Sequence, residues 1–286
     1  MKKIISLVLV ALMLTCIFVS CGAKNTGVKV IDIELTEEEY AFGVDKTQPE
    51  LLEKVNAFID QIMADGTFDA ICNKYFGDGT PTAVTSAEYD PTKDQLVVAT
   101  NAGFEPFEYT LDGGKTYLGI DMEIAALLAE YLGLELVINN MEFEAVCLSV
   151  GQQKADIAMA GLTVKPDREE HVTFSKSYYK ASQKLIVMAD DKTFDECKTA
   201  DDVAAILNGK DVSTIIGVQE GTTGQYYVEG DLDNEEGFGF AGYPVTCTPY
   251  KNGSLAVQDL INGNIQYVII DSAPAAAITT AFNELN

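Results

Sequence analysis

The sequence predicts an α/β fold, and two observations carry this prediction. From Gln95 onward, short apolar runs typical of buried strands alternate with segments whose apolar residues recur at helical spacing. Such alternation is typical of crossover units in which helices cover a mostly parallel sheet. The chain has 286 residues, 47% of them hydrophobic, which is enough for one large domain or two lobes of ordinary size.

The first set of alternating elements follows Gln95. LVVATN (96–101) predicts a buried strand, and DMEIAALLAEYLG (121–133) predicts a helix that ends at Gly133, a residue type common at helix C-caps. YKASQKLIVMA (179–189) predicts a long extended segment that could link two lobes. Between these segments the set continues with a strand over 135–140, a helix from Glu144 and a strand over 155–161.

A second alternating set comes after this extended segment, so the chain predicts two lobes of α/β type. Its predicted strands and helices come from the segments DDVAAIL, STIIGVQEG, TTGQYY, YPVTCTPY, GSLAVQDLING, QYVIIDS and APAAAITTAFNEL.

The region before Gln95 is different in kind. It predicts strands over 28–35 and 40–44, and then a helix that Pro49 opens and Gly66 ends. DGTFDAICNKYFG (65–77) reads like the closing helix of a domain, and 77–94 has the composition of a linker. The apolar face of the helix from Pro49 is predicted to consist of Leu52, Val55, Phe58, Ile59, Ile62 and Met63.

The N-terminus predicts export and anchoring. Residues 1–20 combine two lysines with an apolar run too short to span a bilayer comfortably, as in a signal peptide. The tail FVSC resembles a bacterial lipobox, which implies lipidation of Cys21, with Cys16 as a weaker alternative. A doubly acylated cysteine holds a protein stably at a membrane surface. The alternative is a plain secretory signal.

Charge and cysteine content exclude several classes of function. The formal net charge is −25, and removal of Lys2 and Lys3 with the leader makes it −27, which argues against a nucleic-acid partner. The acidic residues are spread along the chain and read as a solvated surface. No cysteine pairs with the single histidine, His171, at metal-ligand spacing, so we expect neither a metal nor a cofactor. Export permits disulfides, but each of the remaining cysteines lies in an apolar helix or strand pattern. Buried free thiols are therefore expected at Cys72, Cys147, Cys197 and Cys247.

Arg168 is the only arginine beside 18 lysines. A guanidinium presents a planar fork that fits a carboxylate or phosphate, which suggests a bidentate task, and a surface arginine kept by chance is the alternative. It follows a predicted strand that breaks at Gly161, in a short helix that Pro166 starts. In open α/β sheets ligands bind beyond the carboxyl ends of strands. Ala160, Gly161 and Thr163 are therefore placed beside the guanidinium.

Two further strand ends and two aromatic residues are candidates. GVQEGTTG (217–224) places free amides and hydroxyls at a helix start, where anions bind, although it is also an ordinary turn. Asp271 ends an apolar strand and would either cap the next helix or bind a cation. Phe104 and Phe143 lie in predicted loops, where core packing is the alternative to a ligand contact.

These segments resemble the extracellular solute-binding proteins of polar amino-acid ABC transporters, solute-binding protein family 3. VATNAGFEPFEY, GIDMEIAALLAEYLG, AGLTVKPDREEHVTFSKSYY, GVQEGTTG and VIIDSAPA match family motifs in family order. The resemblance implies a two-lobed periplasmic-binding-protein-like (Venus flytrap) fold with two hinge strands, which closes over one amino acid.

Carried over residue by residue, the resemblance implies a complete amino-acid site. Arg168 would bind the α-carboxylate with the amides of Thr163 and Thr223. The ammonium group would meet Asp271, the carbonyl of Ala160 or Gly161 and the Thr163 hydroxyl. Phe104 and Phe143 would sandwich the side chain, and the family positions that select it are Asn101, Gln219 and Ile270. None of the three is charged, which predicts a neutral, polar amino acid.

The resemblance also explains the early closing helix. In the family, a strand, a hinge crossing and two helices follow the helix matched by APAAAITTAFNEL, and here they are found at 27–77. We interpret this as a circular permutation joined through 77–94; a duplicated family fragment is the alternative. The predicted parts are the signal peptide at 1–20, lobe 1 at 41–178, lobe 2 at 27–35 and 182–286, and hinges at 36–40 and 178–182.

The predicted function is that of a lipid-anchored, extracytoplasmic binding protein without enzymatic activity. It would be a monomer that delivers an amino acid to the permease of an ABC importer. The alternatives are a dehydratase-like enzyme of the same fold and an amino-acid sensing receptor module. Against the enzyme, His171 falls three residues after Arg168 on a helix predicted to be solvated.

Overall fold

The computed structural model describes residues 27–232 and 237–285. The predicted signal peptide and Cys21 lie outside these ranges. Within them, the strands form two five-stranded sheets, a two-stranded pair and a four-stranded antiparallel sheet. The α/β prediction is confirmed, with two lobes each built on one of the five-stranded sheets.

The strands are numbered in chain order. They are β1 (Val28–Ile31), β2 (Glu38–Tyr40), β3 (Gly43–Asp45), β4 (Val84–Thr85), β5 (Gln95–Thr100), β6 (Gly103–Phe104), β7 (Glu108–Thr110), β8 (Thr116–Leu118), β9 (Glu135–Asn140), β10 (Ile157–Ala158), β11 (Val172–Phe174), β12 (Tyr179–Ala181), β13 (Gln183–Met188), β14 (Ile215–Gln219), β15 (Thr246–Tyr250) and β16 (Tyr267–Asp271).

The helices of the described ranges cover both lobes. They are α1 (Pro49–Ala64), α2 (Thr67–Phe76), α3 (Ile120–Leu132), α4 (Ala145–Gly151), α5 (Pro166–Glu169), α6 (Ala200–Asn208), α7 (Thr223–Glu229), α8 (Gly253–Asn262) and α9 (Ser272–Glu284).

The first lobe is built on the sheet β11-β3-β10-β5-β9. β10, β5 and β9 run parallel, as crossover units require, and β3 is antiparallel to both of its neighbours. The parallel strands β5 and β10 lie side by side near the centre of this sheet and end at Thr100 and Ala158. The loops that follow these two strands therefore lie at the same edge of the sheet.

The second lobe is built on the sheet β1-β13-β16-β14-β15. β14 is parallel to β15 and β16, whereas β13 is antiparallel to both β16 and β1. β1, from the start of the described chain, therefore lies in the same sheet as β16, from its end. Asn283 of α9 joins them further, because its side chain accepts from the Val28 amide at 3.0 Å and donates to the Val28 carbonyl at 2.9 Å.

A two-stranded antiparallel pair, β2 with β12, connects the lobes. Tyr40 is paired with Tyr179, and Glu38 with Ala181. These strands lie within 36–40 and 178–182, the ranges that the sequence predicts as hinges.

Several strands are shorter in the structure than the sequence predicts. Two of them divide because the chain changes its pairing partner part-way. The predicted strand at 40–44 is divided between β2 and β3, since the chain passes from β12 to the sheet of the first lobe. The extended run at 179–189 divides at Ser182 for the same reason. The strand predicted at 28–35 ends at Ile31, and the one at 155–161 is limited to β10.

The predicted helices agree better with the structure than the predicted strands do, and one exposed residue has to be removed from a predicted buried face. α1 begins at Pro49 and buries Val55, Phe58, Ile59 and Ile62, but Met63 is 38% exposed and does not belong to its buried face. Gly66 precedes α2 and has a positive φ. No helix within the described ranges is long and apolar enough to cross a membrane.

The four cysteines after the leader carry free thiols. Cys147 is buried, and the other three are half-buried, which corrects the expectation that all four are buried. Burial raises the pKa of Cys72 and of Cys147 to about 11, so both thiols are protonated at neutral pH.

Candidate functional site

Arg168 lies on α5, beyond the end of β10, and faces the second lobe. Its Nη1 donates to the Thr163 carbonyl at 2.7 Å, and its Nη2 donates to the Gly221 carbonyl of the second lobe at 3.2 Å. Its Cζ lies 5.2 Å from the centre of the Phe143 ring. The side chain is therefore held in place by both lobes and by an aromatic face.

The guanidinium of Arg168 is buried, and within residues 27–232 and 237–285 no carboxylate forms an ion pair with it. Two of its five N–H groups donate to carbonyls, and the other three have no acceptor among the described residues. A buried charge without a partner is unfavourable. The arrangement is therefore suited to an anionic ligand group.

A chain of hydroxyl groups runs from the second lobe to a buried carboxylate. The Thr223 hydroxyl donates to the Thr163 hydroxyl at 3.3 Å, and the Thr163 hydroxyl donates to Oε2 of Glu38 at 2.7 Å. Oε1 of Glu38 accepts from Thr36 at 2.6 Å and from Gln183 at 3.0 Å. Because its own proton is used by Glu38, the Thr163 hydroxyl can act toward a ligand only as an acceptor.

Asp271 ends β16 on the second lobe, and its buried carboxylate accepts from the Tyr40 hydroxyl at 2.5 Å. Its side chain does not cap α9, so that alternative prediction is wrong. Burial and the neighbouring charge of Glu38 raise the pKa of Asp271 to about 7, although the hydrogen bonds from Tyr40 and Gln183 oppose the shift. Burial also raises the pKa of Tyr40 well above its usual value, which keeps the hydroxyl protonated as a donor.

Glu38 and Tyr40 are site residues that the sequence reasoning missed. The run TEEEY (36–40) reads as a solvated acidic surface, yet Glu38 and Tyr40 are both buried. The signal that could have found them is alternation, since residues 38 and 40 of a strand share one face. Glu39 between them faces away and is exposed.

Phe104 and Gly161 form one wall of the site. Gly161 has φ +53°, and a Cβ atom placed on it would lie 2.8 Å from Cε1 of Phe104. The Gly161 amide donates to Asp121 at 2.9 Å, and Tyr178 donates to the same carboxylate at 2.7 Å. Phe104 stands in β6 rather than in a loop, and its ring is stacked with Phe107 at 6.0 Å between centres. Glycine at position 161 thus leaves the space that this ring occupies.

Asn101 and Gln219 meet across the two lobes. The Asn101 Nδ2 donates to the Met141 carbonyl at 2.7 Å, which orients the amide so that its Oδ1 accepts from Nε2 of Gln219 at 3.3 Å. Gln219 is 1% exposed, and its Oε1 has no hydrogen-bond partner in the described part of the chain. An orphaned buried acceptor is unfavourable, so this oxygen requires an N–H or O–H donor.

The structure does not bring Ile270 into this group. Ile270 neighbours Asp271 in β16, so its side chain points to the opposite face of the sheet, where it packs against Gly253 of α8 in the core. The Ala160 methyl also packs in the core of the first lobe, which leaves only backbone atoms for a ligand. The contacts above join the predicted residues Phe143, Thr163, Arg168 and Thr223, and they reach Asp271 through Glu38 and Gln183. Asn101 with Gln219, and Phe104 with Gly161, form two separate pairs.

The rim of the site carries exposed charges from both lobes. Lys251 of the second lobe pairs with Glu142 of the first at 2.9 Å, and Glu144 lies against Gly221. His171 packs against Gly151, away from these residues. Within the described ranges, no group of three or more His, Cys, Asp or Glu side chains is arranged to hold a metal ion.

Comparison with known proteins places this geometry in a family. A model of the bacterial extracellular solute-binding proteins, family 3, matches residues 6–78 and 96–279. The chain belongs to this family. The family assignment agrees with the motifs and with the two-lobed α/β architecture.

Individual proteins match a smaller part of this chain than the family model does. The chain is 32% identical to the arginine-binding extracellular protein ArtP of Bacillus subtilis over 98 residues, which are 34% of this chain and 38% of ArtP. It is 26% identical to the octopine-binding periplasmic protein of Rhizobium meliloti over 217 residues, 70% of this chain and 68% of that protein. The match thus spans well under half of ArtP.

A solved structure of an ancestral arginine-binding protein bound to glutamine is also similar. Its TM-score is 0.52 at 26% identity, and the alignment covers 68% of this chain and 75% of that one.

The wall formed by Gly161 and Phe104 gives a stability prediction. Gly161→Ala and Gly133→Ala both place a methyl group at a positive φ, +53° and +71°, which costs about 1–2 kcal/mol. Only Gly161→Ala also displaces the Phe104 ring, because nothing lies within 4 Å of a Cβ at Gly133. We expect Gly161→Ala to lower the free energy of unfolding in urea by about 1–3 kcal/mol more than Gly133→Ala. Equal losses would show that the ring is not held against Gly161.

Proposed function

We propose that this protein is a lipid-anchored, extracytoplasmic substrate-binding protein of an ABC importer, which encloses one amino acid between its lobes and catalyses no reaction. One observation carries the proposal: the buried cation of Arg168, without an anionic partner in the described chain, faces a site whose opposite wall holds the carboxylate of Asp271. A zwitterionic α-amino acid complements both groups. The family assignment supports this function.

Arg168 is proposed to bind the α-carboxylate. Its open N–H groups form a planar fork, and charge-assisted pairs of this kind are about twice as strong as neutral hydrogen bonds. The amides of Thr163 and Thr223 would add donors, since Thr223 opens α7 and its hydroxyl already reaches Thr163 at 3.3 Å.

Asp271 is proposed to bind the ammonium group, together with the Gly161 or Ala160 carbonyl and the Thr163 hydroxyl. The hydroxyl suits this role because its proton is donated to Glu38, and the lone pair that does not accept from Thr223 is left for a cation. Since Asp271 belongs to the second lobe and Arg168 to the first, one ligand binds both, which stabilises the closed form.

The ligand side chain is proposed to be neutral and polar, and we favour a carboxamide. Phe104 and Phe143 would flank it, and its N–H₂ group would supply the donor that Oε1 of Gln219 lacks. The neutral amides of Asn101 and Gln219 support this choice.

We further propose that the chain is a circular permutation of the usual family order, with its new ends in the second lobe. Two observations support this proposal. β1 lies in the sheet of β16 and is tied to α9 through Asn283, and the match to the family model is interrupted between residues 78 and 96, where permutation places the joined ends. If Cys21 is the lipidated residue, the membrane anchor lies six residues before Gly27 and thus close to the second lobe.

The role of Arg168 is tested by ligand-induced stabilisation. We expect at least one of the twenty amino acids to raise the melting temperature of the mature protein, because a ligand that binds only the native state stabilises it. Arg168→Ala should weaken binding of that amino acid about 100-fold, measured by calorimetry, since it removes two charge-assisted hydrogen bonds. Lys176→Ala is the matched control, because Lys176 is an exposed cation of the same lobe paired with Asp60.

This assignment is wrong if no amino acid shifts the melting temperature, or if Arg168→Ala binds as tightly as the wild type.

The side-chain preference is tested at Gln219. We expect L-glutamine or L-asparagine to bind more tightly than L-arginine, L-lysine or L-histidine, and Gln219→Leu to weaken amide binding about 10-fold by leaving a ligand donor unpaired. Glu144→Gln is the control, because this exposed rim carboxylate would matter only for a cationic side chain. Tighter binding of L-arginine that Glu144→Gln abolishes would contradict the neutral ligand.

The pH dependence of binding tests Asp271. Its pKa is raised to about 7 in the free protein, and an ammonium group beside it favours the ionised form, so binding near neutrality releases a proton. Lowering the pH from 8 to 6 should therefore raise the dissociation constant about 10-fold. Asp271→Asn should bind more weakly at pH 8 and lose this dependence. If the dependence persists in Asp271→Asn, another group, such as Asp121, is responsible.

A further inference from the structure

Lys165 joins the lobes through an aromatic contact outside the proposed ligand site. It immediately precedes α5 of the first lobe, and its side chain is 0% exposed. Its Nζ lies 2.6 Å from Oδ2 of Asp167 and 3.6 Å from the centre of the Tyr226 ring, which belongs to α7 of the second lobe. The Phe238 ring of the second lobe is 5.3 Å away. An ammonium group this close to a ring face makes a cation–π interaction.

The partners of Lys165 differ in how they depend on closure. Asp167 is two residues after Lys165 on the same lobe, so the ion pair can persist when the lobes separate. Tyr226 and Phe238 belong to the other lobe, so separation removes the rings and exposes the ammonium to water. The aromatic contact therefore exists only in the closed form.

The aromatic side of the contact is itself held in place. Phe238 lies 6.2 Å from Tyr226 and is stacked on Phe240 at 5.2 Å, centre to centre. Asp231 accepts from the amides of Phe238 and Phe240 at 2.5 and 2.6 Å. The ammonium thus meets a fixed aromatic surface.

We propose that Lys165 and Tyr226 form a latch that stabilises the closed form without touching the ligand. The latch shares α5 and α7 with the site: Arg168 donates to Gly221 just before α7, and Lys165 packs on Tyr226 within it. A ligand that binds the closed form has an apparent affinity proportional to the closed fraction. Lys165 and Tyr226 are therefore positioning residues for amino-acid binding. The effect on affinity rests on the proposed function, but the effect on closure does not.

The test compares ligand-free and ligand-bound protein in variants of both partners. Lys165→Met keeps the length of the side chain and removes the charge, and Tyr226→Leu removes the ring; Tyr226→Phe, which keeps it, is the matched control. We expect Lys165→Met and Tyr226→Leu each to weaken binding of L-glutamine, used as the probe, about 3- to 30-fold. The double variant should lose little more than either single variant, and Lys165→Arg should retain most of the affinity.

Small-angle scattering of the ligand-free variants gives an independent readout. Lys165→Met and Tyr226→Leu should have a larger radius of gyration than the wild type and Tyr226→Phe, with an unchanged radius in saturating ligand. Unchanged ligand-free dimensions in Lys165→Met and Tyr226→Leu would overturn the latch. If Lys165→Met unfolds, the latch is tested by comparing the ligand-free radius of gyration of Tyr226→Leu with that of Tyr226→Phe. If no amino acid binds the wild type, the proposed function fails, while the scattering comparison still tests the latch.

Discussion

The charge of Arg168 is the constraint on which the arrangement of the two lobes depends. A buried guanidinium without an anionic partner is unfavourable, and here its available acceptors are carbonyls, one from each lobe. The Gly221 carbonyl is close enough only because the lobes are closed. Gly221 lies just before α7, and the first turn of this helix also places Thr223 beside Thr163 and Tyr226 beside Lys165. The lobes therefore meet around two cations of a four-residue segment of the first lobe.

The opposite wall carries the complementary charge, and it depends on the hinge. β2 places Glu38 and Tyr40 on one face, where Tyr40 donates to Asp271 of the second lobe and Glu38 accepts from Thr163 of the first. Burial raises the pKa of Asp271, and the charge of Glu38, which these contacts keep nearby, raises it further. The ammonium group of a bound amino acid would relieve the repulsion between the two carboxylates. The carboxylate of the same amino acid would pair with Arg168. In the proposed function, ligand recognition and closure would therefore use the same charges.

The sequence predicts most helices and their ends, because capping residues and helical periodicity are local properties. Gly133 ends α3 with a left-handed backbone, and Pro49 begins α1, as expected. Strand lengths are less accurate, since a strand ends where its partner ends. Tyr40 and Gly43 pair with different sheets, and nothing in YAFGV marks that change. The same limitation explains Glu38, which lies in an acidic run typical of solvated surfaces but is buried because β2 crosses between the lobes.

Sequence alone was sufficient for the family, the α/β class and the identity of Arg168 and Asp271 as candidate site residues, because these follow from residue types at fixed spacing. Only the tertiary structure showed which side chains face each other. It removed Ile270, whose side chain packs in the core, and added Glu38 and Tyr40; it also placed the Lys165 ammonium on a ring from the other lobe. The contacts of Glu38, Tyr40 and Lys165 join residues 61 to 231 positions apart, so their geometry depends on how sheets and lobes pack rather than on any local pattern.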